Sequence, residues 1–276
     1  MEAYERAEWR VLNTGYLNGP MNMAVDEAIM LAVLEGKAPP TLRFYGWTPF
    51  CLSIGYAQSM AKEVNLEAVR ADGFDYVRRP TGGRAILHGD ELTYSVLAPQ
   101  AEPRVAGSIV ESYRRLSLGL VEGLRLLGVP ALQSDALTGR PEEKSAACFD
   151  APSHYEITVN GRKLVGSAQM RRKGMVLQHG SLPLCGDITR IVDYLRLPDE
   201  EARHRLRIEL RGRATTLEEA LGRSPTFEEL ATALAEGFAR QLNLHLTTGA
   251  LTIYERELAE ALYRDKYSTD GWNFLR

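Results

Sequence analysis

Two side chains in the stretch Lys144–Leu184, KSAACFDAPSHYEITVNGRKLVGSAQMRRKGMVLQHGSLPL, could do chemistry together: the thiol of Cys148 and the amine of Lys163. A Cys thiolate is both a nucleophile and a good leaving group, and a nearby ammonium favours it over the thiol. Taken singly, each has a plainer reading. A lone intracellular Cys is usually a small buried hydrophobe, and a Lys beside a hairpin tip is usually an exposed turn residue. The surrounding pattern decides whether they could meet. Tyr155, Ile157 and Val159 alternate with Glu156 and Thr158, the period of a half-buried strand. Asn160-Gly161 then offers the two positive-φ residues of a tight hairpin, and Lys163, Leu164 and Val165 lead the chain back. Lys173-Gly174 turns it once more into Met175–Leu177. The prediction is a three-stranded meander, with the thiol in the loop that feeds it and the lysine just past its first turn.

A second polar segment, Arg78-Arg79-Pro80-Thr81-Gly82-Gly83-Arg84-Ala85-Ile86-Leu87-His88, also has chemical potential. Paired glycines let backbone approach a ligand and present successive N–H groups to oxygen. Arg78, Arg79 and Arg84 could grip phosphate or carboxylate. Read alone, the segment is a glycine-rich turn with exposed arginines, and His88 a satisfied structural histidine. It is neither a P-loop nor Gly-x-Gly-x-x-Gly.

The elements that must position these residues follow from periodicity. Trp9–Leu12 reads as a short edge strand, and Asn18-Gly19-Pro20 punctuates it. A helix follows from Met21 to Gly36, with Val25, Ala28, Ile29, Ala32 and Val33 facing the core and Asn22, Asp26 and Glu27 on a solvated face. Leu42–Tyr45, Cys51–Tyr56, Tyr76–Arg78 and Leu92–Leu97 read as strands, and Met60–Ala71 as a helix. Ser108–Gly128 is a long helix with Ile109, Tyr113, Leu116, Leu120, Leu124 and Leu127 on its core face. Ile188–Leu197 reads as a helix and Glu200–Leu210 as a charged surface helix. Thr216/Glu219, Thr226/Glu229 and Thr252/Glu255 have the spacing of capping boxes, and Leu242, Leu244 and Leu246 alternate as a short strand. The expected fold class is α+β, with mixed, mainly antiparallel sheets flanked by helices. One domain spans 1–276, and a small helical C-terminal subdomain at 215–276 packs on it.

Composition narrows the function classes. The chain has 276 residues, 45% hydrophobic and 25% charged, with a net charge of −3, so no global attraction to nucleic acid or anionic membrane is expected. No apolar run approaches a membrane span, and the acidic first residues lack a signal peptide's apolar core. Cys51, Cys148 and Cys185 are three and far apart, which argues against a disulfide framework and for a reducing, cytoplasmic setting. Cys51 and Cys185 read as structural. Without Cys-x-x-Cys or paired histidines, no metal site is expected.

The residues also carry a family likeness. RRPTGGRAILHGDELTYSV at Arg78–Val96 resembles the signature loop of the lipoate/biotin protein ligase superfamily. SAACFDAPSHYEITVNGRKLVGSAQMRRKGMVLQHGSLPL is similar to the LipM-type octanoyltransferases within it, as are NMAVDEAIM at Asn22–Met30 and KYSTDGWNF at Lys266–Phe274. The likeness runs nearly end to end. ATP-using lipoate ligases usually carry a third glycine where this chain has Arg84, and a longer C-terminal accessory domain, so acyl transfer without adenylation is favoured.

That resemblance implies a tunnel for a medium-length acyl chain. It also implies transfer of octanoyl from acyl carrier protein to a specific lysine of a lipoyl-accepting protein, the glycine cleavage H protein or a lipoyl domain. It makes Cys148 the nucleophile and Lys163 its catalytic partner, and assigns substrate binding to Arg79, Gly82, Gly83, Arg84, His88, Gly166 and Ser167. No cofactor is implied. Lys163 could stabilise the oxyanion or, deprotonated, accept the proton of the incoming amine. His179 is left as a sheet residue. Arg140, Arg171, Arg172 and Lys173 are candidates for meeting an acidic carrier protein, or form a solvated charged face. Two alternatives stay open: an ATP-dependent lipoate- or biotin-protein ligase working through an acyl-adenylate, and a non-catalytic binder of lipoyl domains.

Overall fold

The computed structural model describes residues 4–133 and 156–276. In chain order its strands are β1 (Ala7–Leu17), β2 (Thr41–Trp47), β3 (Cys51–Ile54), β4 (Asp75–Arg78), β5 (Ile86–His88) and β6 (Glu91–Pro99). They continue as β7 (Leu132–Gln133), β8 (Ile157–Val159), β9 (Arg162–Arg172), β10 (Met175–Pro183) and β11 (Leu244–Gly249). Eight form one sheet in the order β11-β1-β2-β6-β10-β9-β8-β7, and β4-β3-β5 form a smaller one. β1 runs parallel to both β11 and β2, and β3 parallel to β4; the remaining pairs are antiparallel. The class is α+β with mixed sheets, as the alternating patterns predict.

The meander forms where the turn chemistry demands it. Asn160 and Gly161 have φ of 50° and 76°, and Lys173 and Gly174 have 51° and 77°, the left-handed pair that matches strand twist. β9 and β10 are therefore in continuous register from Arg172↔Met175 to Gly166↔Ser181.

Helices cover the sheets. α1 (Gly19–Leu34) begins at Asn18, whose side chain accepts from the Met21 N–H, and Gly36 follows it at φ 69°. α2 (Met60–Glu63), α3 (Leu66–Ala71) and α4 (Ile109–Leu126) come next, then a 3-10 helix at Ile188–Tyr194. α5 (Glu200–Arg213), α6 (Leu217–Leu221), α7 (Phe227–Leu242), α8 (Ile253–Leu262) and α9 (Asp270–Asn273) complete the set among the described residues. Thr226 and Thr252 close both arms of their capping boxes. Thr216 accepts from the Glu219 N–H, while the Glu219 carboxylate turns to Arg162 and Thr215. Leu217, Phe227, Leu230, Leu234 and Phe238 share one core with Trp9, Phe44 and Tyr94 of the large sheet. α7 crosses α4 so closely that a Cβ on Gly237 would lie 2.4 Å from the Gly119 carbonyl oxygen.

Several local readings need correction. Trp9–Leu12 is part of an eleven-residue interior strand, because β11, far along the chain, supplies a second partner. Met60–Ala71 splits at Val64-Asn65, where Val64 is extended and Asn65 caps α3 with its side chain. The strand from Cys51 ends at Ile54, and Tyr76–Arg78 joins the smaller sheet. The segment from Ile188 is 3-10 rather than α-helical. Ile109 is half exposed, and the charged helix α5 buries Leu206 and Leu210. The largest error concerns α1. Asn22 and Asp26 are wholly buried, not solvated, because this helix is packed on nearly every side. Glu27 is partly buried and binds Lys266 and Tyr267.

No helix among the described residues is long and apolar enough to cross a membrane.

Candidate active site

Between the two sheets lies a small, partly open and mainly apolar cleft. Tyr45 and Trp47 of β2 and Thr93 of β6 form one wall. Gly166, Ser167 and Ala168 of β9 and His179–Ser181 of β10 form another, and Ile86, His88 and Arg79 close it from the smaller sheet. Four of the expected site residues, Arg79, His88, Gly166 and Ser167, are thus brought to one place.

Gly83 lies beside two of its lining residues. A Cβ on Gly83, which has φ 95°, would be 3.3 Å from Arg79 Nη2 and 3.8 Å from the Ala168 Cβ. A Cβ on Gly55 would come within 2.1 Å of the Gly83 carbonyl oxygen. Backbone cannot give way there as a flexible side chain can. Gly55→Ala is therefore expected to displace the Gly82-Gly83 turn and weaken ligand binding in the cleft roughly tenfold or more, a shift of about 1.4 kcal/mol, measurable as the Kd of a bound ligand. Gly212→Ala in α5, which meets open space, is the control: activity is kept and stability rises by roughly 0.4–1 kcal/mol.

The arginines are anchors rather than free anion grips. Arg79 donates to the Ser53 carbonyl and hydroxyl and to the carbonyls of Gly82 and Arg84, so it holds the shape of the loop. Arg78 donates to the carbonyls of Gly55, Tyr56, Gln58, Trp272 and Asn273. The Asn273 side chain accepts from the Arg78 N–H, which ties the Lys266–Phe274 motif to the start of the loop. Arg84 contributes its carbonyl and is half-buried. Arg171 serves the turn before α4, donating to Val105, Gly107 and Ser108 carbonyls, and is not a free docking charge. Arg172 and Lys173 are exposed.

Lys163 lies on β9 three residues before Gly166, about 10 Å along an extended strand. It is 4% exposed, and its Nζ is 2.9 Å from Glu156 Oε1. Glu156 was read only as the outward residue of a strand; the hairpin register brings it back beside Lys163. Cys148 and Arg140 lie outside the described residues. Cys51 is buried beneath α1, where burial and then Asp75 push its thiol well up, which suits a structural role. Cys185 borders a second, partly open cleft that shares Ile86 and Ser181 with the first.

The polar groups around the cavity were the least legible. His88 stacks on Trp47 at 3.9 Å, with Ser53 Oγ 2.6 Å from Nε2 and Glu91 Oε1 2.8 Å from Nδ1. His179 lies 2.7 Å by Nε2 from Thr81 Oγ1 and 3.5 Å by Nδ1 from Asp26 Oδ2. Asp26 also accepts from Arg43, Tyr45 and Ser95. Burial alone would raise the Asp26 carboxyl, but Arg43 and His179 outweigh it and hold it below the usual carboxylate range. Burial would likewise raise Glu91, yet His88, Ser181 and Thr93 bring it below that range. Burial lowers His179 despite the opposing pull of Asp26, so its imidazole is neutral near pH 7. One signal in the sequence could have found this network: polar Asn22 and Asp26, one turn apart, sit in a helix that is otherwise apolar except for Glu27.

Comparisons with known proteins show the family. The lipoyl protein ligase A/B catalytic domain family matches residues 18–239. The chain is 51% identical to the octanoyltransferase LipM of Symbiobacterium thermophilum over 272 residues, covering 97% of this chain and 98% of the relative. It is 40% identical to that of Bacillus subtilis over 277 residues, covering 99% and 100%. Among solved structures it resembles a bipartite lipoate protein ligase from Thermoplasma acidophilum, with a TM-score of 0.80, 29% identity and coverage of 97% and 96%. A lipoate-protein ligase A bound with ATP gives 0.79 and 27%, covering 97% and 99%.

Proposed function

The chain belongs to the lipoyl protein ligase A/B catalytic domain family and groups with its LipM octanoyltransferases; from that premise we propose how its own residues carry the acyl group. It is an acyltransferase of lipoate biosynthesis, moving octanoyl from an acyl donor to a protein acceptor. The donor is octanoyl-acyl carrier protein, and the acceptor is the glycine cleavage H protein or a lipoyl domain, in the cytoplasm.

Cys148 is the nucleophile. Its thiolate attacks the donor carbonyl, a C–S bond to the enzyme forms, and the carrier's thiolate leaves and takes up a proton. The exchange of one thioester for another is nearly neutral in free energy. The amine of the acceptor lysine then attacks, a C–N bond forms, the Cys148 thiolate departs, and the amine gives up a proton. An amide is more stable than a thioester, so no nucleotide is needed. Lys163, oriented by Glu156, stabilises the charge that gathers on the carbonyl oxygen.

The cleft lined by Tyr45, Trp47, Ile86, Ala168 and the two histidines supports this reading, because it offers a largely apolar recess to a fatty tail beside the Gly82-Gly83 turn. Burying the methylenes of octanoyl is worth about 0.8 kcal/mol each, about 5 kcal/mol in all. Arg79, Gly82, Gly83, Arg84, His88, Gly166 and Ser167 shape the recess and its rim.

The test is to mix the protein with octanoyl-acyl carrier protein, without ATP, and weigh it. An octanoyl adduct cleaved by hydroxylamine is expected. Acceptor modification only on addition of ATP, with no adduct, would select the ligase reading; no modification under either condition would select the non-catalytic binder. Lys163→Ala should slow transfer roughly a hundredfold, the scale of one lost oxyanion donor, while circular dichroism stays unchanged. An unaltered single-turnover rate would remove Lys163 from the mechanism.

A further inference from the structure

Two chains of hydrogen bonds converge on the acyl cavity from opposite sides, and both have the same order: hydroxyl, imidazole, carboxylate. In the first, Arg79 Nη1 is 2.6 Å from Ser53 Oγ, Ser53 Oγ is 2.6 Å from His88 Nε2, and His88 Nδ1 is 2.8 Å from Glu91 Oε1. In the second, Thr81 Oγ1 meets His179 Nε2, and His179 Nδ1 faces Asp26. Ser53, His88, Glu91, Thr81, His179 and Asp26 are all buried.

The direction of each chain follows from its ends. A guanidinium donates at any working pH and a carboxylate accepts, so Ser53 accepts from Arg79, and His88 Nδ1 carries a proton aimed at the Glu91 carboxylate. Ser181 and Thr93 donate to the same carboxylate and fix its orientation. The same order places the His179 proton on Nδ1 toward Asp26, and the Thr81 hydroxyl on Nε2. Both ring nitrogens of each histidine are thereby occupied, which leaves their faces and edges, rather than a free nitrogen, to the cavity.

We propose that Glu91 and Asp26, neither of which lines the acyl cavity, are positioning residues. Through His88 with Ser53, and His179 with Thr81, they fix the Arg79–Arg84 loop against Gly166–Ala168 and so set the shape of the acyl recess. The two chains reach the loop at different points: one at the Arg79 side chain, the other at Thr81, next to Gly82. They also join the sheets, because Ser53 and His88 belong to the smaller one whereas Glu91 and His179 belong to the larger. Lys163 is about 10 Å further along β9, so disturbing the chains alters acyl binding more than the chemical step.

This inference rests on the acyl-transfer reading for its kinetic test alone; the ring protons are read without activity. Histidine-selective 15N labelling at pH 7, with His88→Gln and His179→Gln for assignment, should show a proton on Nδ1 of both rings and an unprotonated Nε2 in His179. Glu91→Gln keeps an acceptor oxygen and removes the charge. It should release His88 Nδ1 from that charged partner and raise the KM for octanoyl-acyl carrier protein roughly tenfold, with kcat within about threefold, the scale of one buried hydrogen bond to a charged group. Ser53→Ala, which removes one hydroxyl and keeps both charges, should shift His88 in the same sense and leave His179 alone; it decides the matter if Glu91→Gln does not fold. A wild-type ring lacking its Nδ1 proton, a His179 protonated on Nε2, or a fall in kcat at unchanged KM in both variants, would overturn the proposal. A wild type that transfers no octanoyl but keeps both Nδ1 protons would instead fail the acyl-transfer reading.

Discussion

Cys148→Ala is expected to form no octanoyl adduct and to transfer octanoyl at least about a thousandfold more slowly, because nothing else in the proposed route can hold the acyl group covalently. The reason lies in the two half-reactions. The carrier's thioester and the acceptor's amine belong to two separate proteins, so the group must wait on the enzyme between them, and a thiolate can accept and release it without a large change in free energy. Cys148→Ser sharpens the test: an alkoxide is a poorer leaving group, so a hydroxylamine-resistant octanoyl ester that turns over slowly is expected by mass measurement. Full activity in Cys148→Ala, with the adduct on Cys51 or Cys185, would sink the assignment.

Asp26→Ala is expected to be the most damaging single change to stability. Asp26 and Arg43 are both wholly inaccessible, 2.7 Å apart, and the carboxylate also accepts from Tyr45 and Ser95. Removing it strands a buried guanidinium, at a cost of about 3–5 kcal/mol. For a chain of this size that lowers the thermal midpoint by roughly 10 °C. Asp26→Asn should be milder, since an amide can still accept one hydrogen bond. The same group sets a pH dependence. Its folded-state affinity for protons lies below that of the unfolded chain, so the stabilisation is complete above the ordinary carboxylate range and is lost as pH falls through the folded value. Glu91 acts in the same sense. An acid-unfolding curve should therefore be steep in wild type and flatter in Asp26→Asn; equal slopes would show that Asp26 does not carry this linkage.

The contrast between what was legible and what was not has a physical basis. Turns and caps are local, so Asn160-Gly161, Lys173-Gly174, Thr226 and Thr252 did what their residue types dictate. Arg79, His88, Gly166 and Ser167, which the family likeness names together, line one cleft. Partners far apart in the chain left no such trace. The placement of β1 between β2 and β11 and the Lys163–Glu156 pair depend on register. So does the burial of Asn22 and Asp26, which a helical pattern of apolar residues alone assigns to water. Buried polar residues are rare enough that a local reading places them outside, and only the facing strand, here with Arg43, reverses it.

The pairing of Ala7–Leu12 with Leu244–Gly249 has a consequence for how the molecule is made. A chain emerging from the ribosome presents the first strand long before its outer neighbour exists. Until then one flank of Ala7–Leu12 has open amides and carbonyls, and Arg10 lacks Glu255, the carboxylate it grips in the finished protein. Completion of this sheet is thus a late event dominated by long-range loop closure, and the nascent chain is most exposed to misassociation during that interval.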